Sequence, residues 1–257
     1  MNTDSIFQKR RFQPGESELL ACGNFVLGIK RENDGWFLKV FNDHTSVGDI
    51  SPEEITTGEY FQSGKSNSFI IAPALHYKPL VFKGSNLFIA PHQKLTFFVK
   101  IPIVLQLYFS KIHEENLLKE LPSRRLSDTW FGEPDNGIAA YALGSDYQLS
   151  FPETEPSALD VICPVNIFNN WNQTLDVQRL ILKTDNMTLF KNGNNLVSSI
   201  VQLEYKGKDA LSSASYGSSK SFHGENPVIL AKARSNDTKS LLKTNFHFIR
   251  SIYNRVE

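Results

Sequence analysis

The chain has 257 residues, of which 40% are hydrophobic and 12% aromatic, with 19 Phe; that is enough apolar material to offset the entropy of ordering, which excludes a largely disordered polypeptide. Lys+Arg and Asp+Glu both number 27, so no global field draws phosphate backbones and nucleic acid is excluded as the expected partner. The two cysteines, Cys22 and Cys163, are far apart and lack CxxC spacing, which argues against a disulfide framework or zinc site and fits a reducing compartment.

Met1 to Arg11 lack the apolar core of a signal peptide, and no run reaches the roughly 18 apolar residues of a spanning helix. The expectation is a cytoplasmic protein with no transmembrane segment. Phe25, Leu27 and Ile29 alternate with polar or small residues, and Trp36, Leu38 and Val40 resume the alternation after a polar turn, which predicts a hairpin. Residues 43–67 are polar and carry Pro52, Gly58 and Gly64; they read as a connection with at most a short strand at 59–61. Apolar runs at 69–75, 80–83 and 87–90 are short and set apart by Pro73, Pro79, Gly84 and Pro91, which suits strands and excludes long helices.

Leu95, Phe97, Val99 and Ile101 form one strand face, and Ile103, Leu105, Leu107 and Phe109 form the next, with Pro102 at the break. From Lys111 to Leu121 the pattern changes. Ile112, Leu117, Leu118 and Leu121 recur at helical spacing and Pro122 stops the run, which predicts a short linker helix. Further on, Leu159, Val161, Cys163, Val165 and Ile167 line one face of a long strand, making Cys163 a small core residue. Pro164 has no N–H to give a ladder, so this strand is expected at a sheet edge or with a bulge. Runs at 175–183 and 187–190 read as strands, residues 191–195 as a hairpin loop leading into 196–205, residues 206–226 as a Ser- and Gly-rich loop, and 228–231 as a last strand.

Over 238–256, Leu241, Leu242, Phe246, Phe248, Ile249, Ile252, Tyr253 and Val256 share one arc of a helical wheel, preceded by capping residues Asn236, Asp237 and Thr238. This predicts an amphipathic helix, whose apolar arc docks on the protein's own sheet or serves a homodimer or a peripheral membrane contact. Together the pattern predicts an all-β fold: two sandwich-like antiparallel halves, an N-terminal β domain over 1–112 and a C-terminal β-sandwich domain over 126–235. A linker helix over 113–125 joins them and the C-terminal helix occupies 236–257.

Catalytic motifs are scarce. There is no GxSxG segment, no P-loop and no dinucleotide fingerprint. His113-Glu114-Glu115 lacks the second histidine of HExxH. His76 and His92 each follow a short apolar strand, so neighbouring hairpins would bring them together as a metal pair, but neither has an acidic residue close in sequence and both read as structural or surface residues. No catalytic residue, metal or cofactor is assigned.

The stretch with signature value is Asp128-Thr129-Trp130-Phe131-Gly132-Glu133-Pro134-Asp135-Asn136-Gly137. Asp128 and Thr129 suit a turn, Gly132 a positive φ, and the Pro134 to Gly137 cluster a tight reversal. The functional reading makes Trp130 and Phe131 a rigid aromatic platform on a loop, flanked by Asp128, Glu133 and Asp135 and suited to a sugar, peptide or partner surface. The structural reading places the rings at the edge of a core.

Asp128 to Pro134, with Gly137 and Tyr141, resembles an uncharacterised prokaryotic family, the four-hundred-and-thirty-second catalogued domain of unknown function. Val161-Ile162-Cys163-Pro164-Val165 and Val201-Gln202-Leu203-Glu204-Tyr205-Lys206-Gly207 support the resemblance. It implies an archaeal or bacterial protein with no assigned activity, in a family sometimes associated with small mechanosensitive channels. The reading of the residues themselves is a non-catalytic binding or interaction module for a protein partner or small ligand. Its rival is a carbohydrate-active or other hydrolytic enzyme whose dispersed carboxylates meet beside Trp130.

Overall fold

The computed structural model describes residues 6–41, 47–85, 87–132, 134–135, 137–151, 159–207, 213–235 and 249–250. The fold is all-β, and its contacts separate into two compact units that interleave along the chain rather than meeting at one boundary. The first takes the chain up to Ala74, then Ile103–Ser123 and the short stretch ending at Leu159; the second takes the remainder. Among the described residues no helix is long and apolar enough to cross a membrane.

In the first unit, Ser17–Cys22, Phe25–Arg31, Gly35–Phe41 and Glu59–Gln62 form an antiparallel meander that contains the expected hairpin. Lys9–Arg11, Ser68–Ala74, Val104–Phe109 and Leu117–Pro122 form a second four-stranded sheet. Trp36 of the meander packs on Phe69 of the other sheet at 5.1 Å between ring centroids, and Phe12 meets it edge-on at 5.4 Å. The buried Arg31 lies 5.1 Å from the Trp36 ring and donates to the carbonyls of Gly35, Asn33 and Gly64 at 2.7, 3.0 and 2.8 Å. A charge this deep persists because its donors are used. The 43–67 connection is not merely a linker: the 3-10 helix Pro52–Thr57 inserts Ile55 into the core. Gly28 makes room for it, since a Cβ there would stand 2.9 Å from Ile55 Cγ1.

The expected linker helix is corrected. Only one 3-10 turn forms, at Glu114–Asn116, and Leu117–Pro122 is a strand paired with Val104–Phe109. Ile112, needed for the helical stripe, is 58% exposed, whereas Leu121 is buried. Leu117, Lys119 and Leu121 also carry a two-residue period, and the open edge of a sheet decided which period was used.

In the second unit, one sheet runs Asp128–Phe131, Ile138–Gly144, Leu80–Lys83, Arg179–Leu182, Ile249–Arg250. A second has seven strands around Asp160–Asn169, which pairs with Lys94–Pro102 on one side and with Asn195–Ser198 and Ile200–Tyr205 on the other, and Phe88–Ile89 pairs with Leu175–Asp176 in a two-stranded third. Phe82 and Phe97, one from each of the larger sheets, approach to 5.6 Å, with Tyr147 edge-on to both. Not every pairing is antiparallel. Ile138–Gly144 runs parallel to Leu80–Lys83, and Asp160–Asn169 runs parallel to both of its partners on the Ile200 side.

Asp160–Asn169 is therefore a central strand, not the edge strand that Pro164 suggested, and its ladder with Lys94–Pro102 runs without the bulge expected as the alternative. The missing N–H is accommodated in two ways. On one side the partner changes between Ile162↔Val197 and Val165↔Val201, so Cys163 and Pro164 face the break between two strands. On the other side Pro164 stands opposite Phe98, whose own N–H and carbonyl bond to Gln148 at 2.8 and 3.0 Å. No ladder bond from Pro164 is required. Cys163 is buried and free, as is Cys22, and burial pushes their thiols up to about 12 and about 11.

The Ser-rich stretch expected to be a loop contains an edge strand, Ser213–Gly217, and the short helix Lys220–His223. The C-terminal helix expectation lies largely outside the described residues. Its two described members, Ile249–Arg250, are extended and pair with Arg179 and Leu180, which corrects the helix at that point.

Candidate functional site

Asp128–Phe131 is an edge strand, antiparallel to Ile138–Gly144, with Asp128 opposite Tyr141 and Trp130 opposite Ala139. This corrects the loop reading and, with it, the joint aromatic platform. Successive side chains on a strand point to opposite faces. Trp130 is 45% exposed and shares its face with the exposed Asp128, while Phe131 is 3% exposed and belongs to the core. Gly132 has φ 112, the conformation expected of it after the strand. Asp135 is exposed in the turn that follows, and Glu133 lies outside the described residues.

The wet face around Trp130 is organised by residues from elsewhere in the chain. Lys78 Nζ is 2.9 Å from Asp128 Oδ1 and 4.8 Å from the ring centroid of Tyr141, the residue paired across from Asp128. The hydrogen bond to Asp128 raises the Lys78 pKa above its ordinary value. His76 is buried and meets Tyr141 edge-on at 5.5 Å. Next along the chain, Tyr77 is 64% exposed and carries the guanidinium of Arg234 at 3.7 Å from its ring centroid. Arg234 also donates to the Leu75 carbonyl at 2.6 Å, and Thr184 Oγ1 donates to the carbonyls of His76 and Lys78 at 2.7 and 3.3 Å. The segment 75–78 is thus tied down from behind, with Leu75 and His76 buried and Tyr77 and Lys78 facing outward. At the edge, Arg179 donates to the Trp130 carbonyl and lies 5.5 Å from the Phe131 ring.

Trp130, Asp128, Tyr141 and Lys78 thus share one surface, a ledge, while Tyr77 and Arg234 stack on each other at the adjoining segment 75–78. Its polar groups are engaged by ion pairs and ring faces, which fixes rotamers that would otherwise be free. Lys78, Arg179 and Arg234 carry no local motif and are separated from Asp128 by long stretches of chain; only Tyr141 was signalled, as part of the resemblance. His76 and His92 keep separate company, since His92 is exposed at φ 58 and contacts Asn172 Oδ1 at 3.1 Å. Among the described residues no group of three or more His, Cys, Asp or Glu is placed to hold a metal ion.

A family model described as "Protein of unknown function (DUF432)" matches residues 6–250. The chain belongs to this family. The match to the DUF432 model spans both compact units, so the Trp130 ledge and the first-unit meander lie within one family pattern. None of the curated proteins and none of the solved structures compared with the chain matches it.

Proposed function

We propose that this DUF432 protein is a non-catalytic interaction module that engages a partner protein through the Trp130 ledge, in the cytoplasm of a prokaryotic cell. The observation that carries the reading is the split between neighbours: Phe131 is spent on the core and Trp130, 45% exposed, is not. An exposed indole on the same strand face as the Asp128–Lys78 pair has the composition of an interface anchor, because Trp, Tyr and Arg dominate such energetics. Two buried, free cysteines accord with a reducing compartment.

The hydrolytic rival needs two carboxyl groups about 5–10 Å apart with separate roles. Of its three candidates, Asp128 is engaged by Lys78 and Asp135 is exposed in a turn, while Glu133 lies outside the described residues. Such positions favour contact over acid–base work. The test is affinity capture from the source organism with native chain and with Trp130→Ala, quantified by mass spectrometry. One or more proteins should be retained by the native chain and lost from the variant. Identical retention by both would refute the ledge as the binding surface.

A further inference from the structure

A second surface of the same unit has a different chemistry. Between Lys94–Pro102, Asp160–Asn169, Ile200–Tyr205 and Ser213–Gly217 the register places Thr96 beside Asn166, Asn166 beside Gln202, and Gln202 beside Ser215. Four hydrogen-bonding side chains from four strands thus form one row across the wet face. The alternate residues Phe97, Val165, Ile167, Val201, Leu203 and Ala214 are buried on the other face. The next row on the wet face is Lys94, Phe168, Glu204 and Ser213. Together the two rows floor a groove of about 390 Å³, within the range of roughly 300–1,000 Å³ typical of small-molecule sites.

The hydrogen-bond inventory of the first row is specific. Thr96 Oγ1 donates to Asn166 Oδ1 at 2.9 Å, and Ser215 Oγ donates to Gln202 Oε1 at 3.4 Å. Each hydroxyl has used its proton, and each amide oxygen one of its two lone pairs. The capacity that remains in the row comprises the Thr96 lone pairs, the Asn166 and Gln202 amide N–H groups with the second lone pair of each amide oxygen, and the Ser215 lone pairs. Flipping either amide exchanges donor for acceptor. A hydroxyl complements both arrangements, because it donates and accepts.

The second row fixes the charge. Glu204 accepts from Asn170 Nδ2 at 2.9 Å, lies 3.3 Å from Lys206 Nζ and accepts from Ser213 Oγ at 3.4 Å, and these partners, Asn170 first, hold its carboxyl below the ordinary range. Lys94 Nζ lies 5.3 Å from the Phe168 ring centroid. The lining itself carries one cation, Lys94, and one anion, Glu204, whose charge is met by Lys206, so it presents no cluster of like charges to hold a strongly charged ligand. Phe168, between Lys94 and Glu204 in this row, adds a half-buried ring to the lining, a surface suited to the C–H face of a sugar. Side chains of a sheet face, rather than a free backbone edge, offer these groups, so an extended peptide gains no ladder here.

From this row and this charge balance we infer that the groove is a binding site for a neutral oligosaccharide, independent of the Trp130 ledge. The test is binding of the full chain to an array of neutral oligosaccharides (cello-, xylo-, manno- and maltotetraose) and anionic ones (oligogalacturonate and sulfated glycans), followed by calorimetry. At least one neutral glycan should bind saturably. The double variant Asn166→Ala with Gln202→Ala should weaken it about tenfold or more, the loss expected when two ligand hydroxyls lose their partners. Trp130→Ala should leave glycan affinity unchanged, which separates this site from the protein-binding reading. If the double variant unfolds, Ser215→Phe on the exposed edge strand fills the groove instead and should abolish binding. Binding to no glycan, a preference for the anionic set, or affinity unaffected by substitution in a folded variant would each overturn the inference.

Discussion

The Trp130 ledge and the Thr96–Asn166–Gln202–Ser215 row are both wet faces of sheets in the same compact unit, yet they are finished differently. On the ledge, cations meet rings and a carboxylate, as in Lys78 on Tyr141 and Asp128 and Arg234 on Tyr77. What the solvent meets there is exposed ring surface, at Trp130 and Tyr77, beside charges that already have partners. On the row, hydroxyls donate to the neighbouring amide oxygens, and the amide N–H groups are not used in those bonds. The difference shows that two-residue alternation specifies only which residues are wet; cross-strand pairing decides what a wet face recognises.

The comparison is broken most severely from behind the ledge. Phe131→Ala should cost about 3–5 kcal/mol in urea unfolding, the usual loss for a buried ring, because its side chain is core rather than ledge. A loss near zero would mean that the alternation is misassigned and the ledge with it. Behind the polar row, Cys163 gives a pH test. Its thiol is raised from 9.0 to about 12 by burial, so the folded state holds the proton more tightly than the unfolded state. Its contribution is complete below pH 9 and is lost progressively as pH rises toward about 12. Unfolding midpoints measured across that window should fall, and native protein at pH 8 should resist thiol reagents at both cysteines until denatured.

Smaller effects sharpen the contrast. Asn166→Ala with Gln202→Ala should change stability by no more than about 1 kcal/mol in total, since surface substitutions away from special features usually stay within about 0.5 kcal/mol each; a larger loss would make the row structural. Smallest of all, Asp128→Ala removes the hydrogen bond that raises the Lys78 pKa. The Lys78 titration, followed by NMR of the side chain, should move down toward its ordinary value with little change in unfolding midpoint. No movement would show that the pair does not organise the ledge in solution.

How much of this was legible follows from the range of each signal. The all-β class, the Phe25–Arg31 and Gly35–Phe41 hairpin and the buried state of Cys163 are local alternation, and the chain carries them openly. Asp128–Phe131 was misread because Gly132 and the Pro134 to Gly137 cluster drew the preceding strand into the turn. Leu117–Pro122 carried two periods, and only its partner Val104–Phe109 selected one. Pro164 suggested an edge because a gap between two collinear partners cannot be read from local sequence. The row was invisible for the same reason: Thr96, Asn166, Gln202 and Ser215 are ordinary polar residues until the register aligns them, and Ser215 sat in a segment whose serines and glycines read as loop.

The central claim is that Trp130 is held for contact rather than for folding, and the unfolding free energy of Trp130→Ala tests it most directly. With the ring 45% exposed, the account predicts a loss below about 1 kcal/mol, the scale of a surface substitution. A loss of about 3–5 kcal/mol, the scale of a core aromatic, would make Trp130 a structural residue and contradict the account.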